Sequence, residues 1–315
     1  MRRAHAPSII AFAVFCLFPL CVRSQQSTAR PDNHSPEAAV ISTADIDLFW
    51  KAYDEWKTSA KGAPDRLAEI LDRSYIQKGS PGVQAFIPAR IVSAEALAKT
   101  ILKDPQYYEA VRVNTLKMSN FVPEIRRGFL RLQEMFPDAV FPSVYFVVGR
   151  RNSGGTNKEN GLIMGAEMFS DNNSLLHLAQ VPSLVVHELV HHQQQAKSSD
   201  LLAYAMREGA ADFIAELITG DEGDENLKSY GDSHEQELWK KFQDDARKTE
   251  IKSWLYNYSD EKRVGPADLG YYMGYKISQS FYQISLDKAA ALRTIIAMKD
   301  PEAILEQSAY AHRFR

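Results

Sequence analysis

Apolar residues recur at helical spacing along most of the chain and give way to a strand-like pattern in one short stretch. Ile46, Phe49, Trp50, Tyr53 and Trp56 form one apolar stripe behind a Ser/Thr start, which predicts a helix over 43–59. These aromatics read as core rather than as a ligand platform. The same spacing predicts helices over 63–76, 93–103, 105–118 and 120–136, an N-terminal helical region spanning 37–137. From Val140 to Val148 the residues become β-branched and aromatic, which predicts a strand. Gly149 to Gly161 reads as a Gly/Asn/Ser turn and Leu162 to Met168 as a second strand, so the two strands are expected to pair as a hairpin. Pro182 then suits the first turn of a helix that meets no breaker from Ser183 to Gln195. Another helix is expected from about Asp200 to Thr219. After Gly220 an acidic loop leads to helices near 233–248, 266–283, 286–298 and 301–309, a C-terminal helical region of 221–315. The expected class is α+β, mostly helical, with a small and mostly antiparallel sheet.

Composition changes the picture mainly at the N-terminus. Arg2 and Arg3 precede an apolar run, Ile9 to Cys21, that is short for a bilayer span and contains Pro19. With Ser24 as a small residue at the cleavage position, residues 1–24 read as a secretory signal peptide, and the protein is expected in the periplasm or outside the cell. Both cysteines, Cys16 and Cys21, fall inside that segment, so the mature chain has no thiol for a disulfide. Residues 25–36 are rich in Gln, Ser, Asn and Pro and read as a disordered linker. The mature chain carries 34 basic against 40 acidic residues, net −6. Such a balance gives no nucleic-acid footprint and no polybasic membrane patch. It leaves the oligomeric state open.

The chemistry concentrates in the helix expected from Ser183. His187-Glu188-Leu189-Val190-His191 is an H-E-x-x-H motif on a segment otherwise apolar nearly all round. Histidines at i and i+4 share a helix face and can reach one metal ion, while Glu188 is rotated away from them and free to act on water. A packed helix whose polar residues are satisfied by neighbours is the alternative. The metzincin continuation fails, because Gln194 stands where glycine is needed and Lys197 where a third histidine would be. On the next helix Glu208-Gly209-Ala210-Ala211-Asp212 carries two carboxylates one turn apart. Glu208 is then the third ligand, and Asp212 accepts the free ring N–H of a ligand histidine. Otherwise both are solvated surface charges. Gly209, which costs about 1 kcal/mol relative to alanine inside a helix, is expected to serve a close approach to the H-E-x-x-H helix.

H-E-x-x-H followed by a helix bearing E-x-x-x-D resembles the gluzincin arrangement of zinc metallopeptidases. More narrowly, these residues look like the predicted bacterial zinc-dependent proteases related to the gliding-motility lipoprotein B. Gly154-Gly155-Thr156 and Gly270-Tyr271-Tyr272-x-Gly274-Tyr275 are similar to that group as well. The resemblance is firm over 139–220, looser towards the C-terminus and absent before residue 130. It lacks one feature, since Phe18-Pro19-Leu20 before Cys21 is a poor lipidation signal. The resemblance implies a zincin-like catalytic core over 138–220, bound zinc and a peptide or protein substrate. It also implies a substrate-pairing edge strand at Leu162–Met168, with Glu167 as a candidate anchor for a substrate amine. An oxyanion donor is implied too, with Tyr272 the first choice among Tyr271, Tyr272, Tyr275 and His234. His177 and His192 are expected in supporting or solvent positions.

The mechanism expected is peptide hydrolysis by zinc-activated water, with zinc on His187, His191 and Glu208 and with Glu188 as general base. The alternative is a zinc-containing envelope binding or assembly protein without turnover. Against it, a structural site would close the fourth position with Cys or His, and Glu188 ligates nothing.

Overall fold

The computed structural model of the chain describes residues 33–170, 176–258, 263 and 265–314. The expected signal peptide, the expected cleavage after Ser24 and most of the expected linker lie outside these residues. From Asn33 onward the expected linker is held in the fold, where Asn33 donates to the Phe141 carbonyl (3.1 Å) and His34 Nδ1 meets that of Ala139 (3.0 Å).

A two-residue strand β1 (Ile41–Ser42) precedes α1 (Ala44–Thr58), α2 (Pro64–Leu71), α3 (Pro81–Phe86), α4 (Ala94–Lys103), α5 (Pro105–Thr115) and α6 (Val122–Met135). Strands β2 (Val144–Val147), β3 (Gly155–Lys158) and β4 (Gly161–Gly165) follow, then α7 (Val181–Gln193) and α8 (Leu201–Thr219). The chain continues through α9 (Glu225–Ser233), α10 (Glu235–Asp245), α11 (Leu269–Ile284), α12 (Lys288–Ala297) and α13 (Pro301–Gln307). Helix starts follow local chemistry. Ser93, Asp104, Asp200, Asp224, Asp287 and Asp300 each accept from a backbone N–H of their own first turn. Gly220, at φ 78°, closes α8 in the left-handed conformation. The short helix α3 and α9 are absent from the periodicity reading, although Ser80-Pro81 and Asp224 are the start signals for them.

The sheet corrects one expectation. Its order is β1-β2-β4-β3, with β1 and β4 both parallel to β2 and only β3 antiparallel. The expected hairpin between the two apolar strands does not exist. The hairpin instead joins β3 to β4, with Lys158 opposite Gly161 across Glu159-Asn160, and Gly161 sits at φ 134°. Asn-Gly is a strong hairpin signal, hidden here within what reads as a single long turn. β3 (Gly-Thr-Asn-Lys) is polar because it is an edge, so no apolar alternation marks it. A second correction follows. β4 is buried along its whole length and flanked on both sides, so β3, not Leu162–Met168, carries the free edge on this side of the sheet.

Helices α1 and α3 pack on β2, and α7 packs on β3 and β4. The stripe Ile46, Phe49, Trp50, Tyr53 and Trp56 is buried, and Trp50 donates to Thr115 Oγ1 (2.8 Å). One core runs through residues of all three expected segments. Helix α8 lies between α7 and α11, and its contact with α11 is exceptionally tight. A Cβ on Gly209 would fall 2.0 Å from the Tyr275 nitrogen, and one on Gly274 would fall 1.8 Å from the Ala205 carbonyl oxygen. Gly209 therefore serves α11, not the H-E-x-x-H helix as expected.

Candidate metal centre

Helix α7 presents His187 and His191 one turn apart, and α8 brings Glu208 to the same point. His187 Nε2 and His191 Nε2 are 2.9 Å apart. Glu208 Oε2 stands 3.3 Å from the first and 3.1 Å from the second. Donors 2.0–2.1 Å from a tetrahedral ion would stand roughly 3.3 Å apart, so the spacing suits one. Among the described residues these three form the group able to hold a metal.

The neighbours decide what the three atoms can be. His187 Nδ1 faces Asp212 Oδ1 at 2.7 Å, and His191 Nδ1 faces Gln194 Oε1 at 2.8 Å. The Gln194 amide is oriented by its own donation to the Arg207 carbonyl (2.8 Å), so its oxygen must face His191. Both Nδ1 atoms are therefore donors, and in the neutral rings both Nε2 atoms carry lone pairs. Two bare nitrogens and a carboxylate oxygen converging in a buried place repel one another unless a cation joins them. The donor set fits zinc: two imidazoles, one carboxylate and, among the described residues, no fourth protein ligand closing the site.

The charges of the cluster also act on one another. Burial pushes the His187 imidazolium down, but Asp212 and Glu208 overcome it and leave its pKa well above the usual range. His191 is raised in the same way, with Glu208 outweighing its burial. Burial pushes Glu208 up, and the two histidines pull it well below the usual carboxylate range. Glu188 behaves oppositely. Burial dominates, raising its pKa despite the nearby His191 and His187. Its carboxylate lies against Gly155 of β3, where a Cβ would stand 2.7 Å from Oε1. His192 Nδ1 meets Asn157 Oδ1 at 3.0 Å, tying α7 to the same strand.

Tyrosines complete the surroundings, and not the expected one. Tyr272 donates its hydroxyl to Asp232 (2.8 Å) on α9 and does not join the cluster. Tyr271, one residue earlier and about 100° round the helix, stacks near-parallel on His187 with centroids 6.2 Å apart. Tyr275 packs edge-on against Phe213, and His234 stacks on Tyr230. The residue sequence reasoning misses is Tyr256, whose hydroxyl donates to Glu208 Oε1 at 2.5 Å. It sits at φ 58°, an uncommon place for a bulky side chain. Its backbone N–H is held by Asp268 Oδ1, while Asn257 Oδ1 accepts from the Asp268 N–H. Nothing periodic marks it, since it lies on a loop 48 residues from its partner. Glu167, the candidate amine anchor, is fully buried and accepts from the Gly149 and Arg151 N–H groups, so it holds a loop and does not face a substrate. His177 is exposed at a helix start, where it pairs with Gln180.

A family model described as "Predicted Zn-dependent protease (DUF2268)" matches residues 143–304, just over half of the chain. The chain belongs to this family. The match runs from the start of β2 into α13, so it contains the sheet edge, the His-His-Glu cluster and the α8–α11 contact. The family description supports a zinc-dependent protease at the coarse level, and the donor cluster is a group that could hold the metal. No curated protein and no solved structure matches the chain.

Proposed function

We propose that this member of the family is an exported zinc peptidase of the gluzincin type, akin to the proteases related to the gliding-motility lipoprotein B. The observation that carries this reading is the convergence of His187 Nε2, His191 Nε2 and Glu208 Oε2 with both Nδ1 atoms already committed to acceptors. His187, His191 and Glu208 would hold the zinc, which when bound supplies Lewis acidity that activates water and polarises the scissile carbonyl. Asp212 and Gln194 hold the rings in the tautomer that offers Nε2. Glu188, buried and poised above the usual carboxylate range, accepts the proton of the attacking water and returns it to the departing amine. Tyr256 takes the place expected of Tyr272, because its hydroxyl already reaches Glu208 and can turn to donate to the oxyanion. The free edge of β3, beside Glu188, pairs with an extended peptide substrate. Export rests on the pattern of residues 1–24 alone, and N-terminal sequencing of the secreted product checks cleavage after Ser24.

Peptide-library cleavage with metal analysis tests the mechanism. Zinc-loaded Glu188→Gln should keep its metal and lose about 10²–10⁴-fold in rate. Cleavage at the wild-type rate by that zinc-loaded variant would refute the general-base role. A zinc-loaded wild type that cleaves no peptide, yet binds a partner equally with or without Glu188, would favour an assembly protein.

A further inference from the structure

The loop from β2 to β3 is tied down by buried side chains. Tyr75 and Tyr108 donate hydroxyl hydrogen bonds to the Val148 and Gly149 carbonyls (2.8 and 3.0 Å), and buried Glu167 receives the Gly149 and Arg151 N–H groups. Three arginines come to this loop. Arg151 is paired with Asp104 (2.8 Å) and lies over the Tyr107 ring, and Arg150 reaches Thr100 Oγ1 (3.2 Å). Arg90 differs from Arg151. Its Nη1 donates to the Asn152 carbonyl, and the Asn152 amide donates back to the Arg90 carbonyl, each at 3.1 Å. Among the described residues no carboxylate forms an ion pair with Arg90, and its buried Nε has no hydrogen-bond partner. A half-buried guanidinium that no carboxylate contacts is an incomplete pair.

Its position says where the missing anion would come from. Asn152 stands three residues before Gly155, the residue against which Glu188 lies. Antiparallel pairing is the more stable per residue, so a peptide on the free edge of β3 runs opposite to it. The C-terminal half of that peptide, which departs as the amine, then points towards Asn152 and Arg90. We propose that Arg90 binds a carboxylate on the leaving-amine side of the scissile bond, supplied by an acidic side chain or by the peptide's own C-terminus. The planar fork of arginine suits a carboxylate in two-point contact. This assignment rests on the peptidase reading and adds a substrate class to it. Arg90 is also close enough to Glu188 for its charge to favour the ionised carboxylate, though burial dominates there.

The test selects binders from a fixed-length peptide library, made with free and with amidated C-termini, on the zinc-loaded full chain carrying Glu188→Gln. Carboxylate-bearing peptides should be enriched roughly tenfold or more. Arg90→Gln should abolish the enrichment, and Arg90→Lys, which keeps the charge without the fork, should retain part of it. Enrichment confined to free C-termini assigns the terminal carboxylate, whereas Asp and Glu enrichment that survives amidation assigns a side chain. In turnover by chains with Glu188 intact, Arg90→Gln should raise KM for those peptides and leave the KM of neutral ones unchanged. Identical selection by both chains, or a carboxylate preference on the acyl side, overturns the role of Arg90 while cleavage by the wild type leaves the peptidase standing. If the zinc-loaded wild type cleaves nothing, the peptidase reading falls and this role falls with it.

Discussion

His187 and His191 each commit Nδ1 to an oxygen acceptor, and the two acceptors come from different places. Asp212 lies one turn beyond Glu208 on α8, whereas Gln194 lies just past the end of α7 and is turned by the Arg207 carbonyl. Removing either should loosen a ring without removing a ligand. Asp212→Ala is expected to lower zinc affinity about 10–100-fold, read by competition with a chromogenic chelator. Unchanged affinity would mean that α7 alone orients His187. Tyr256 and Tyr272 separate just as cleanly. Tyr256→Phe should keep zinc and lower kcat by about 10²–10³. Tyr272→Phe removes only its bond to Asp232, so its effect should appear in unfolding and not in kcat; the reverse pattern would restore Tyr272 as the donor.

At the scale of elements, the site depends on two contacts made possible by missing side chains. Gly209 and Gly274 let α8 and α11 meet backbone to backbone, which brings Tyr271 over His187. Gly274→Ala would drive its Cβ into the Ala205 carbonyl, and the helices would have to part. The expected loss is about 1–3 kcal/mol in urea unfolding, with weaker zinc binding in the fraction that stays folded. A variant as stable as the wild type would show that the helices adjust freely. Gly155 plays the same part between β3 and α7, where its bare Cα leaves space for the Glu188 carboxylate. Gly155→Ala should depress turnover while zinc content and urea midpoint change little. Full activity in that variant would separate Glu188 from the strand.

Across the molecule, the cluster is a point of convergence for distant parts of the chain. Residues of α7, α8, the loop carrying Tyr256 and the start of α11 all meet there, with β3 beside Glu188. A ligand that binds only the folded arrangement stabilises it by mass action, by about 4 kcal/mol when free zinc is a thousandfold above Kd. Chelation is accordingly expected to lower the Tm of the wild type by several degrees. Glu208→Ala, lacking one donor, should melt at nearly the same temperature with and without chelator. Equal responses of the two chains would show that the metal contributes nothing to the fold.

The sequence by itself determined what is local. The i,i+4 spacing of His187 and His191, the carboxylate pair at Glu208 and Asp212, and the helices with capped starts are all legible, because helix period and capping act over a few residues. The mostly helical character with a small sheet is legible for the same reason. Tertiary structure decided what depends on partners remote in the chain. Whether β4 is an edge or an interior strand is set by β2 on one side and β3 on the other, and a run of apolar residues looks the same in either case. Which tyrosine meets the cluster turns on a rotation of α11 fixed by Gly209 and Gly274, and on a loop that holds Tyr256 in a strained conformation. Arg90 carries no mark in the sequence at all. Its open Nε becomes visible only when the fold has seated the guanidinium against Asn152 with no carboxylate in contact among the described residues.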